Sequence, residues 1–236
     1  MPEALYELRS VARFFQRGSA TVRALDGVDL DIAPGELVAL VGPSGSGKTT
    51  LLQLLGALDR ASEGSVLFED ADLGALGDAA LADLRLRTFG FVFQQFNLIP
   101  TLTALDNVQA AIAPAGVPDD ESRARSLALL EAVGLGDRAT HLPSQLSGGE
   151  QQRVGIARAL VKEPRVILAD EPTGNLDSAT GADIVTLLAG LASARGTTVI
   201  VATHDESLAA IAPRRITVRD GKATEPAGYG QLLGAR

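Results

Sequence analysis

Short apolar runs alternate along this chain with longer segments of helical period. Runs at residues 5–11, 24–32, 36–41, 65–68, 89–93, 166–169, 199–202 and 214–219 are bounded by Gly, Pro or Asp and predict strands. Strands alternating with helices are the pattern of an α/β fold, a parallel sheet with helices on its faces. The first few strands and the last are expected as antiparallel additions. Asp220-Gly221 after the last strand predicts a hairpin turn, because both positions tolerate positive φ.

No comparable buried run occurs between residues 93 and 166. Segments 104–113, 121–133 and 149–160 have helical period there, and Pro100, Pro114, Pro118 and Pro143 stand where helices must stop or start. The pattern predicts a single domain over 1–236, with 1–93 and 166–236 forming the core and 94–165 an inserted helical subdomain. One stretch, 184–202, is almost uncharged and about long enough to cross a bilayer. Arg195, Gly196, Thr197 and Thr198 interrupt it, so a helix ending near Arg195, a turn at Gly196 and a buried strand at 199–202 explain it better. No membrane span is expected.

Composition narrows the class. At 236 residues and 46% hydrophobic content the chain can fill one large core. There are no cysteines, which excludes disulfides and thiolate metal sites and fits a cytoplasmic setting. The net charge of −8 argues against a nucleic-acid surface. Met1-Pro2-Glu3 lacks the basic-then-apolar layout of a signal peptide, so export is not expected.

The chemistry concentrates in a few loops. Gly42-Pro43-Ser44-Gly45-Ser46-Gly47-Lys48-Thr49 satisfies GxxxxGK[ST], follows the apolar run 37–41 and precedes the helical run from Thr50. Glycines let successive amides point at phosphate oxygens, and the helix N-terminus adds its positive end. Lys48 would reach the β and γ phosphates, and the Thr49 hydroxyl would ligate Mg²⁺. Such a loop alone is also read as a Gly-rich turn; its place between strand and helix favours phosphate. The run 166–169 delivers Asp170 and Glu171 to the carboxyl end of a strand, where open α/β sheets bind ligands. Asp170 would hold Mg²⁺, and Glu171 would orient and deprotonate the attacking water. His204 follows the run 199–202, and Gln94 and Gln95 follow 89–93. His141, before Pro143, reads as surface.

Leu146-Ser147-Gly148-Gly149-Glu150-Gln151-Gln152-Arg153, about a hundred residues after the phosphate loop, adds more than an ordinary helix N-cap at Ser147 would. With the other motifs in the same order, the whole chain resembles the ATP-binding cassette (ABC) family. That resemblance implies a P-loop NTPase fold, with a RecA-like mixed sheet core, an antiparallel β-subdomain and an inserted helical signature subdomain. It implies ATP and Mg²⁺ as ligands, Gln94 rather than Gln95 on the metal and the water, and His204 at the γ phosphate. Residues 42–50, Thr50 included, become the phosphate contacts, and Phe15 rather than Phe14 the adenine platform. It further implies a homodimer, head to tail, in which Ser147, Gly148, Gly149 and Glu150 close over the partner's ATP and Asp177 crosses the interface.

Residues 90–100 and 169–177 most resemble the branch containing lipoprotein-release and macrolide-export ATPases. A motor subunit for a separate transmembrane permease follows, peripheral on the inner face of the cell membrane. Phe96, Leu98, Ile99 and Leu102 would then line the groove for a permease helix, or pack the helical lobe. A regulatory cassette signalling to cell-wall enzymes would share the chemistry. A soluble cassette of DNA repair or translation fits this length less well. Departures from the family pattern are Glu150 where Gln is commoner, Gly155 for Ala and Phe15 for Tyr.

Overall fold

A computed structural model describes residues 4–193, 196–205 and 209–225. Two compact units emerge, Met1–Leu81 with Thr198–Arg236, and Ala82–Thr197.

In the first unit, β1 (Tyr6–Arg17) is flanked by β2 (Ala20–Ile32) and by β4 (Glu63–Phe68), both antiparallel to it; β5 (Ala71–Asp72) pairs with β4. Alternation buries Tyr6 and Leu8 on one face. The buried Tyr6 hydroxyl donates to Leu55 O at 2.9 Å, and its ring stands 5.0 Å from Phe68. β1 runs past the predicted limit at 11 because residues 13–17 zip against 20–25 as a hairpin. The outer half of that hairpin is exposed or half-buried, and Arg13, Gln16, Arg17 and Arg23 break up its apolar residues, so no continuous apolar run extends into it.

A second sheet region in this unit centres on β3 (Leu37–Val41), which lies parallel to both β8 (Thr198–Thr203) and β9 (Arg214–Arg219). Val38, Ala39 and Leu40 are fully buried, as a central parallel strand requires. The last predicted strand is therefore parallel, not antiparallel. A chain that crosses back after β8 re-enters the sheet in the same direction. The antiparallel addition is β10 (Lys222–Thr224), which folds onto β9 through Asp220 (φ 49°) and Gly221 (φ 76°), the turn the sequence predicts. After β3 the chain enters α1 (Lys48–Leu55), whose Leu51, Leu54 and Leu55 are buried.

The second unit pairs β6 (Phe89–Phe93) in parallel with β7 (Val166–Asp170) and carries α3 (Ala104–Gln109), α4 (Asp119–Ala132), α5 (Gly148–Leu160) and α6 (Ser178–Ser193). α3 is shorter than expected: a separate 3₁₀ turn, Ala113–Ala115, holds Pro114, which cannot donate within a continuing helix. Asn107 knots the preceding loop. Its Oδ1 accepts from Ile99 N at 2.7 Å, and its Nδ2 donates to the carbonyls of Ile99, Leu102 and Thr103. An additional helix, α2 (Asp78–Arg87), buries only Leu81, so no apolar stripe announces it. α6 is described to Ser193 and Gly196 is a turn; the predicted helix end at Arg195 lies outside the described residues. Among the described residues no helix is long and apolar enough to cross a membrane.

Candidate nucleotide site

The first unit holds the phosphate loop. Parallel pairing of Val41 with Thr203 sets Gly42 and His204, the next residues on each strand, at one carboxyl edge. His204 is exposed there. Gly47 caps α1 with φ 111°, a conformation that side-chain-bearing residues avoid. A Cβ on it would stand 2.5 Å from Ala24 O. Lys48 is buried, and its ammonium donates to Gly42 O at 2.8 Å and Pro43 O at 3.0 Å, inside the curl of the loop. Pro43, Ser44, Gly45 and Thr49 are exposed, and Thr50 is half-buried on α1. Ser46 Oγ is buried with no protein partner, 2.9 Å from where a Cβ on Gly42 would stand. A phosphate oxygen would satisfy it.

Phe14 and Phe15 lie within β1, not after it as the sequence suggests. Phe15 is exposed with Arg13 4.6 Å from its ring centre; Phe14 is half-buried with Arg23 at 5.0 Å.

The second unit carries the acidic and signature elements. Phe93 pairs with Asp170 across β6 and β7, so Gln94 and Glu171 leave adjacent parallel strands at the same level. Glu171 has φ 46°, a left-handed conformation that costs a bulky residue about 1–3 kcal/mol and is typical of functional loops. The Gln94 amide packs on Gly174: a Cβ there would lie 2.7 Å from Gln94 Nε2. Gln94 and Gln95 are both exposed.

Ser147 caps α5 in a capping box. Its Oγ accepts from Glu150 N at 3.3 Å, and Glu150 Oε2 accepts from Ser147 N at 2.8 Å. Those bonds to Ser147 hold the Glu150 carboxyl below its ordinary range, with Arg138 and His141 adding to the effect. Glu150 thus keeps the box that the commoner Gln would form, and adds a negative charge. Gly148 and Gly149 open the helix beside Leu176 and Thr180, which brings the signature next to the loop carrying Asp177. Asp177 accepts from Thr180 N at 3.1 Å and from Thr180 Oγ1 at 2.7 Å, fixing the start of α6. His141, expected at the surface, is half-buried, with Nδ1 lacking a partner and Nε2 3.4 Å from Arg138.

Comparison with known proteins decides the family. The profile of the ABC transporter family matches residues 25–174, more than half of the chain. The chain belongs to the ABC transporter family. It is an ATPase cassette with the P-loop NTPase fold. A macrolide export ATP-binding/permease protein of Rhodospirillum rubrum is 50% identical over 99% of this chain, which covers 36% of that relative. The cassette thus spans about a third of the length of its macrolide-export relatives. An ABC transporter ATP-binding protein of Thermotoga maritima is 50% identical, with 92% of each covered. Among solved structures, a dimeric post-hydrolysis state of the ATP-binding cassette MJ0796 with ADP and Pi matches with a TM-score of 0.86. It is 43% identical and covers 95% of this chain and 100% of that one.

Sequence reasoning missed Asn175 and Arg158. Asn175 Nδ2 donates to Gln94 O at 2.8 Å, and Arg158 binds the carbonyls of Phe96 and Asn97. Asn175 stands in a motif of which only its neighbours have a chemical rationale, and Arg158 reads as an ordinary polar face of α5.

Proposed function

We propose that two copies of this cassette close head to tail over ATP and Mg²⁺, and that hydrolysis drives a separate transmembrane permease of the lipoprotein-release or macrolide-export type. The observation that carries this reading is 50% identity over 99% of the chain to a relative named as an ATP-binding/permease protein for macrolide export. The cassette would sit on the inner face of the membrane through that permease. No nucleic-acid role is proposed.

The roles follow from the chemistry of the groups. Residues 42–50 would cradle the phosphates, with the Ser46 hydroxyl and Lys48 ammonium donating to their oxygens. Thr49, Gln94 and Asp170 offer only hard oxygen donors, the set that suits Mg²⁺. When bound, the metal neutralises charge on the β and γ phosphates. Glu171 would hold the water and take its proton as the oxygen attacks phosphorus and the bond to ADP breaks. His204 would steady the γ phosphate, and Phe15 would stack on adenine without a hydrogen bond, giving loose base selectivity. Ser147, with the amides of Gly148 and Gly149, would grip the partner's γ phosphate, while Glu150 holds their box and Asp177 meets the other copy.

Glu171→Gln is the decisive variant. Turnover should fall about 10²- to 10⁴-fold while ATP still produces a dimer on gel filtration. A monomer that retains full activity would refute the reading. Copurification from membranes should bring down a multi-span permease with the ATP-locked variant; recovery of only ribosomal or DNA-repair components would reject the transporter assignment.

A further inference from the structure

The loop that leaves β6 is held at successive points by groups remote in sequence. Asn175 Nδ2 donates to Gln94 O at 2.8 Å across 81 residues. Phe96 and Asn97 then adopt left-handed backbone, φ 57° and 49°. Two consecutive residues in that region turn their carbonyls to the same side, and Phe has no intrinsic preference for it. Arg158 meets both carbonyls, Nη2 on Phe96 O at 2.7 Å and Nη1 on Asn97 O at 2.5 Å. Its guanidinium is partly buried, and desolvation lowers its pKa. A planar fork with several donors suits two parallel carbonyls, and no other charge on the loop competes for it.

Each staple comes from an element that the dimer would touch. Asn175 lies two residues before Asp177. Arg158 lies on α5, the helix that Ser147 caps. The two elements also meet each other, since the site of a Cβ on Gly148 is 3.4 Å from Leu176 Cδ2 and 3.7 Å from the Phe96 ring. The Gln94 side chain itself is lodged against Gly174, beside Asn175.

We infer that Asn175 and Arg158 are positioning residues for Gln94: they tie its backbone to the Asp177 loop and to the signature helix, so that its amide is in place only when both elements are. This rests on the reading of Gln94 as the residue that meets the metal and the water. Left unstapled, the loop would relax from its left-handed turn, and Gln94 would leave Gly174.

The test uses the 236-residue chain with Asn175→Ala, Arg158→Lys and Gln94→Ala, singly and with Gln94→Ala combined with Asn175→Ala. Asn175 is exposed, so its variant should fold. Hydrogen exchange of the peptide covering 94–98 should quicken about three- to ten-fold in Asn175→Ala and in Arg158→Lys, the loss expected for one hydrogen bond, with α4 unchanged. The Mg²⁺ concentration for half-maximal ATPase should rise by about the same factor in both. In the Gln94→Ala background, Asn175→Ala should have no further effect on turnover, because the two act through one group. An equal effect of Asn175→Ala with and without Gln94 would overturn the inference and leave the role of Gln94 standing. Unchanged exchange at 94–98 would overturn it too. Full activity in Gln94→Ala itself would overturn the reading of Gln94, and the inference with it.

Discussion

At the scale of single residues, the phosphate loop separates two reasons for glycine. Gly45 (φ 78°) has nothing within 4 Å of where a Cβ would stand, whereas Gly47 (φ 111°) would meet Ala24 O at 2.5 Å. Gly45→Ala therefore carries only the left-handed penalty, about 1–2 kcal/mol. Gly47→Ala adds a clash with backbone, which no side-chain rotation relieves, and should cost about 2–4 kcal/mol. It should also dislodge Lys48, the next residue, and abolish ATP binding. Urea unfolding and titration with a fluorescent ATP analogue would check both. Equal losses in the two variants would contradict the geometry of the loop.

At the scale of elements, Lys162 joins the end of α2 to the start of β6. Its ammonium donates to Arg85 O at 2.8 Å and to Phe89 O at 2.5 Å. Burial, and then the neighbouring Arg158, bring its pKa down to about 8. Above pH 8 the folded chain releases this proton, whereas the unfolded chain keeps it until about pH 10.4. The unfolded state then binds more protons, so the contribution of Lys162 to stability rises with pH across that window. Tyr6 has the opposite sign: burial raises its pKa, so the unfolded chain ionises first and stability falls above about pH 10. Denaturation of the wild type and Lys162→Met at pH 7.5, 8.5 and 9.5 should show the wild type gaining on the variant at each step. A constant gap would mean that Lys162 titrates normally. Such tertiary ties also mark where sequence reading stops. The strands at 37–41, 89–93, 166–169 and 199–202 were legible because a strand buried on both faces must be an apolar run. The outer half of the β1–β2 hairpin and α2 were not: charged and polar residues break up the apolar positions of the first, which is exposed or half-buried, and α2 buries only Leu81. The strand-to-helix turn at 42–47 was legible because the motif that marks it is contiguous in sequence, between β3 and α1. Asn175 and Arg158 were not, because their partners lie 81 and about 60 residues away.

At the scale of the whole molecule, one phosphate loop and one signature per chain raise the question of which copy the signature serves. Moving a dimer from 1:99 open to 99:1 closed takes about 5.5 kcal/mol, so two bridging ATP molecules would each contribute roughly half. That arithmetic requires each γ phosphate to be gripped by both copies. Lys48→Ala and Ser147→Phe should each inactivate the homodimer, the first through the loop and the second through the signature. In a mixed dimer the sites are no longer alike. One site combines the damaged loop of one copy with the damaged signature of the other, and the second combines the intact loop with the intact signature. Mixing equal amounts with ATP should therefore restore activity. With random two-fold pairing, half of the dimers are mixed and each carries one good site, which gives about a quarter of the wild-type rate. If the signature instead served the loop of its own chain, each copy would carry one defect in its only site. The mixture would then stay as inactive as either variant alone, and the head-to-tail assembly would be rejected.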